Sequence, residues 1–283
     1  MCRFLAYRGR SICVDDLLFQ PVNSLISQSA HAHEMKEPLN GDGFGIGWYA
    51  KEIDPDPGVF VSVRPAWNDR NLRYIAPKIR SDCIFAHVRA ASHGEVSETN
   101  CHPFHYRQYL FMHNGNIDGF HHVKRFLRRR LSDEVYEWIR GQTDSEHFFA
   151  LLLENLGAKR EEAGEAEMVR ALKKSFAEIE EIKKRHQIRE PSYLNLAVTD
   201  GNYVVATRYV SRPRLRAPTL YYSEGSQYEI KDGICRMRRS DPKEHTVLIV
   251  SERLTNRKGD WKKIHSNHML VVHEDLRVRL SPL

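Results

Sequence analysis

Cys2 follows the initiator methionine, so removal of Met1 leaves a cysteine whose thiol and free α-amine belong to one residue. An α-amine titrates near ~8 and a thiol near ~8.5, so the amine can take the thiol proton near neutral pH. An N-terminal cysteine can thereby act as a nucleophile without a separate histidine; otherwise it packs as a small hydrophobe. An apolar run, Ile84-Phe-Ala-His-Val, delivers Arg89 and then a small-residue stretch ending at Gly94. A guanidinium at a strand end suits two parallel hydrogen bonds to a carboxylate, or a structural ion pair. A third element, His113-Asn114-Gly115-Asn116, reads first as a turn. The same residues can converge Asn114 Nδ2–H and the Gly115 amide on one oxygen, as an oxyanion hole does. Asp144 lies in Thr143-Asp-Ser-Glu146, which has capping-box spacing. It complements a helix dipole, and from that fixed position it can also meet a substrate ammonium.

Other patterns carry less. Glycine stands at every second position from Gly41 to Gly47, whereas a dinucleotide fingerprint needs G-x-G-x-x-G before a helix. Period two belongs to a strand with one bare face, approached closely by other backbone. Fifteen histidines show no H-E-x-x-H spacing, and five cysteines no C-x-x-C, so neither metal site nor disulfide framework is expected. The net charge of +6, from 43 basic and 37 acidic residues, is modest for this length and does not predict a nucleic-acid partner. Its densest piece, 124–130 (KRFLRRR), reads as the solvated face of a helix or as a rim attracting anionic substrates.

Those residues need elements to hold them. Short β-rich runs recur at 2–7, 44–49, 59–63, 83–88, 109–113, 194–198, 203–207, 247–250 and 269–272. Met168, Leu172, Phe176 and Ile179 recur at steps of four, four and three, which predicts an amphipathic helix over 161–186. A second helix should start at Thr143 and stop at Gly157. Strands at both ends with helices between predict an α+β layered fold. Breaks at 55–58 and 189–191 read as loops, so one domain spanning 1–283 is expected. With no membrane-length apolar run and no signal-peptide pattern at the start, the expected location is cytoplasmic.

Combined and in this order, the elements resemble the class II glutamine amidotransferases, the N-terminal-nucleophile family that includes the glutaminase domain of glucosamine-6-phosphate synthase. Cys2-Arg-Phe-Leu-Ala-Tyr7, Asn40-Gly-Asp-Gly-Phe-Gly-Ile-Gly-Trp-Tyr49, His87-Val-Arg-Ala-Ala-Ser-His-Gly94, Asn100-Cys-His-Pro-Phe104, His113-Asn-Gly-Asn116 and Thr143-Asp144 carry the likeness. Ser251-Glu-Arg-Leu-Thr255, Trp261 and Asn267-His268 resemble the small single-domain branch, with its γ-glutamyl hydrolases of ergothioneine synthesis and glutathione breakdown. The resemblance implies a four-layer α/β/β/α sandwich. It implies Cys2 as nucleophile, Asn114 and Gly115 as oxyanion donors, Arg89 on the substrate α-carboxylate and Asp144 on its α-ammonium. Ser92, His93 and His102 join the substrate-binding set on the same ground. Ala90 and Ser92 depart from the aromatic residue and threonine that multidomain members often carry, so no aromatic lid is evident. The substrate implied is glutamine or a γ-glutamyl compound, with no cofactor and neither nucleic acid nor membrane as partner. The alternatives are a glutaminase subunit feeding ammonia to a separate synthase, no synthase domain being evident in the chain, and a catalytically silent binding protein of the same fold.

Overall fold

The computed structural model describes residues 2–34, 38–91, 94–157, 163–212, 214–225, 227–231, 234–238, 245–257 and 259–283. The chain opens with β1 (Arg3–Cys13), α1 (Val14–Leu18), α2 (Leu25–Ala30), β2 (Phe44–Ala50), β3 (Asp54–Ser62), α3 (Arg70–Ile75) and β4 (Arg80–Val88). Then come β5 (Phe104–Tyr106), β6 (Tyr109–Ile117), α4 (Phe120–Arg128), α5 (Asp133–Trp138), α6 (Asp144–Leu156) and α7 (Glu165–Arg185). The remainder is extended: β7 (Ser192–Thr199), β8 (Val204–Arg208), β9 (Tyr221–Gly225), β10 (Gln227–Lys231), β11 (Ile234–Arg238), β12 (Thr246–Val250), β13 (Lys262–Lys263), β14 (His268–Val272) and β15 (Val278–Pro282).

Two antiparallel sheets result, in the orders β13-β9-β12-β1-β4-β2-β3 and β15-β14-β8-β7-β6-β5, with β10 and β11 as a separate hairpin. Side-chain alternation along the strands assigns the layers. Phe4 and Ala6 of β1 meet Leu110 and Met112 of β6 and Ala206 of β8 in a core between the sheets. Their neighbours Leu5 and Tyr7 point the other way, onto Leu17, Leu25 and Leu72 of α1, α2 and α3. On the second sheet Phe111, Leu196 and Val205 face outward to Phe149, Leu152, Met168 and Leu172 of α6 and α7. The order is helix, sheet, sheet, helix, the sandwich that the resemblance implies.

Each of the nine extended runs falls within a strand or overlaps one, and the amphipathic stretch is α7, with Met168, Leu172, Phe176 and Ile179 buried. Thr143 caps α6 by accepting from Glu146 N, and Gly157 ends it in the left-handed region at φ 68°. Only half of the capping box forms, because the Glu146 carboxylate instead takes the amides of Arg140 and Gly141. The break expected at 55–58 is corrected: it lies inside β3, where Gly58 pairs with Trp48 and Pro55 and Pro57 sit on an edge strand, the position where proline is tolerated. Of the basic stretch, Arg125 and Arg129 are exposed. Arg128 donates to His147 Nε2 at 2.9 Å, and Arg130 pairs with Glu178 and Glu181.

Candidate active site

Cys2 immediately precedes β1, which pairs with β4 in the register Arg3↔Val88. That register sets the thiol against the residues leaving β4, and Cys2 Sγ lies 3.6 Å from the Ala90 carbonyl. Burial pushes the thiol pKa up, the Arg89 charge draws it down and Asp144 pushes it up again. Both charged side chains therefore act on Cys2.

Arg89 is 3% exposed, and the glycine-rich segment before β2 clamps it. Its N–H donates to Gly43 O at 2.8 Å, its carbonyl accepts from Asp42 N, and Asp42 Oδ2 takes the Ala91 amide. Gly43 sits at φ +116°, and a Cβ there would lie 2.7 Å from Cys101 Sγ. Farther along, a Cβ on Gly45 would lie 2.3 Å from the His102 carbonyl. The alternating glycines thus mark close backbone approach, as their period suggests. Asp42, which organises the Arg89 turn, was not singled out from sequence; its position inside the glycine alternation is the signal that could have found it.

Asn114 and Gly115 do not form a turn. β6 runs on to Ile117, paired with β7 in the register Asn114↔Asn195 and Gly115↔Leu194. A Cβ on Gly115 would lie 2.0 Å from Tyr193 O and 2.8 Å from His113 Nε2, so only glycine lets β7 and the His113 ring approach. Asn114 is wholly buried, yet among the described residues neither its Nδ2 nor its Oδ1 has a partner. A buried polar group left unmatched costs about 1–3 kcal/mol, an arrangement suited to a site that a ligand completes. Asn195 holds the neighbouring segment, donating to the carbonyls of Pro218 and Thr219.

Asp144 is the first residue of α6, and both carboxylate oxygens are engaged: Oδ2 by Ile117 N at 2.7 Å, Oδ1 by Ser145 N at 2.9 Å. Ser145 Oγ lies 2.9 Å from His113 Nδ1, while His113 Nε2 lies 2.9 Å from Tyr193 O. The carbonyl can only accept, which assigns the proton to Nε2 and leaves Nδ1 to accept from the serine hydroxyl. The strand bearing Asn114 and the helix bearing Asp144 are thereby tied together.

His102 is 3% exposed; its ring lies 4.2 Å from that of His87 and edge-on to Phe104, with neither nitrogen partnered among the described residues. Burial drives His87 down to about 3 and His102 well below the usual range, and His113 is lowered as well. All three are neutral near pH 7. Ser92 and His93 lie outside the described residues.

Two further residues beside Cys2 went unassigned in sequence: Arg3 and Glu252, an ion pair at 3.0 Å with both side chains 2% exposed. Among the described residues no group of three or more His, Cys, Asp or Glu is placed to hold a metal. Two surface clefts of about 720 and 690 Å³ lie elsewhere, lined by Glu165, His273 and Arg277 and by Lys51, Arg107 and Asp200. No helix among the described residues is long and apolar enough to cross a membrane.

The family model for class II glutamine amidotransferases matches residues 19–281. Probable glutamine amidotransferase DUG3 of Saccharomyces cerevisiae is 39% identical over 302 residues, covering 100% of this chain and 84% of that protein. The γ-glutamyl-hercynylcysteine sulfoxide hydrolase of Mycobacterium tuberculosis is 38% identical over 122 residues, which cover 42% of this chain and about half (50%) of the hydrolase. A solved glutamine aminotransferase class-II domain protein from Silicibacter pomeroyi superposes with a TM-score of 0.70 at 28% identity, covering 100% of this chain and 98% of that one. With the model matching nearly the whole chain and a relative of this identity along its full length, the protein belongs to the class II glutamine amidotransferases and is an enzyme of that kind.

Proposed function

We propose that this enzyme hydrolyses the γ-amide bond of glutamine or of a γ-glutamyl compound through a thioester on Cys2. The observation that carries the reading is Asn114, buried with both polar atoms unpartnered next to Gly115, on a strand tied to the helix of Asp144. The Cys2 α-amine, freed by loss of Met1, takes the thiol proton, and the thiolate attacks the γ-carbonyl. Asn114 Nδ2–H and the Gly115 amide receive the developing oxyanion, where such donors act most strongly in a dry site. The C–N bond breaks, the α-ammonium returns its proton to the departing nitrogen, and ammonia or an amine leaves. Water then adds to the thioester with the same amine as base, releasing glutamate and the thiol.

Arg89 and Asp144 read the glutamyl head, the first through its α-carboxylate and the second through its α-ammonium. A glutamine inside a peptide offers neither charge. Ser92, His93 and His102 complete the binding set in this reading, His102 as a neutral wall. The resemblance to a γ-glutamyl-hercynylcysteine sulfoxide hydrolase favours a leaving amine larger than ammonia.

The test is a product screen with free glutamine beside γ-glutamyl amines and γ-glutamyl peptides, following glutamate and the released nitrogen compound. Wild type should release glutamate from at least one of them and Cys2→Ala from none. Release from glutamine alone would favour a subunit delivering ammonia to a separate synthase. Glutamate release that survives Cys2→Ala would sink the thioester, and no turnover of any compound would leave a silent binding protein.

A further inference from the structure

We propose that Arg3 is a positioning residue for the nucleophile: its guanidinium, neutralised by Glu252, grips the backbone carbonyl of Cys2 and so orients the α-amine and thiol of that residue. The inference rests on Cys2 being the nucleophile. A mature N-terminal residue has no preceding peptide bond, so its Cα, α-amine and thiol hang from one backbone anchor, the peptide plane that carries its own carbonyl. A hydrogen bond to that carbonyl fixes the plane from which they project. Cys2 precedes the ladder that begins at Arg3. Arg3 Nη1 donates to Cys2 O at 3.2 Å, and Arg3 Nε donates to Glu252 Oε2 at 3.0 Å.

The grip is built from both sides. Glu252 Oε1 accepts from Asn23 Nδ2 at 3.2 Å and His33 N at 3.0 Å, and its Oε2 also takes Glu34 N at 3.2 Å. The residue before it, Ser251, accepts Phe4 N on its hydroxyl at 2.8 Å and donates its own N–H to Phe4 O at 3.1 Å. Segments 23–34 and 251–252 therefore hold the two residues behind the nucleophile. A buried ion pair is weak evidence of stabilisation, because desolvation can cancel the Coulomb gain. Anchoring the free end of a chain is a task to which the planar fork is suited and a lysine is not.

The experiment uses full-length protein with Met1 loss verified by intact mass. It compares wild type, Arg3→Lys and the neutral pair Arg3→Met/Glu252→Gln. Readouts are the rate of Cys2 alkylation by iodoacetamide against pH, kcat and KM on the best substrate of the product screen, and Tm. Both variants should lose about ten- to hundredfold in kcat, the scale of a small misplacement, with KM within about threefold. Their alkylation-against-pH curves should shift from that of wild type. The neutral pair leaves no uncompensated charge but replaces one Glu252 acceptor oxygen by a donor facing Asn23, His33 or Glu34, so its Tm should fall modestly. Arg3→Lys, which keeps Glu252 and its contacts, should melt near wild type. Lower Tm with an unchanged alkylation curve and unchanged kcat would make Arg3 structural only and overturn the inference. Failure of alkylation at Cys2 to inactivate wild type would instead remove Cys2 as nucleophile, the ground the inference stands on.

Discussion

Ile117 at the end of β6 donates its backbone N–H to Asp144 Oδ2 at 2.7 Å, so the first residue of α6 closes the strand that carries Asn114. Asp144 is thus a tertiary clasp as well as a helix-terminal anion. If it also reads the substrate ammonium, Asp144→Asn keeps an oxygen for Ile117 while losing the charge. Breaking a close charge pair costs about 2–5 kcal/mol, so kcat/KM for a γ-glutamyl amide should fall tenfold or more. The N-acetylated amide, which lacks the ammonium, should be affected little. Measuring both compounds on both proteins checks this; equal discrimination would make Asp144 a clasp alone.

Asn114 and Gly115 should respond differently to alanine. Asn114→Ala removes an oxyanion donor, and kcat should drop on the order of 10²–10³ with a smaller change in KM. Because the Asn114 amide has no protein partner, Tm should not show the loss of a buried hydrogen bond. Gly115→Ala drives a Cβ to 2.0 Å from Tyr193 O, and overpacking of this kind costs about 1–3 kcal/mol or more. Its Tm should fall clearly. Steady-state kinetics and thermal melts on the two variants separate the roles, and an Asn114→Ala effect confined to KM would refute the oxyanion assignment.

Active protein should lack Met1. With Met1 retained, the Cys2 nitrogen is an amide with no basic lone pair, and the thiol, its pKa raised by burial, loses its base. Intact mass beside specific activity decides: turnover should scale with the fraction beginning at Cys2. Full activity in a fully Met1-bearing sample would end the mechanism.

Acid should destabilise the fold through three buried histidines, His87, His102 and His113. Burial holds His87 down at about 3, with His102 and His113 also lowered, against about 6.5 in an unfolded chain. The unfolded state then binds more protons below that value, so this stability is complete above about pH 6.5 and fades as pH falls toward 3. Tm measured from pH 7.5 to 4.5 should decline. His102→Phe, which removes a ring with no hydrogen-bond partner, should decline less steeply; an unchanged slope would exclude His102 from the effect.

Local pattern was enough for nine of the strands, for α7 and for the ends of α6, and it marked Cys2, Arg89, Asn114 and Asp144 as candidates, because periodicity, caps and side-chain type are written within a few neighbouring residues. Asn114-Gly115 shows where local reading stops. The dipeptide favours a turn, yet pairing with β7 keeps it extended, and the glycine is required by Tyr193, far along the chain. Pro55–Gly58 likewise reads as a break and is an edge strand held by β2. Asp42 stands inside the glycine alternation that local pattern marks, but its hold on the residues after Arg89, like that of Glu252 on Arg3, cannot be read from either segment alone. Each joins residues that meet only when strands distant in the chain come into register, and burial and ion pairing are properties of that assembly, not of any one segment.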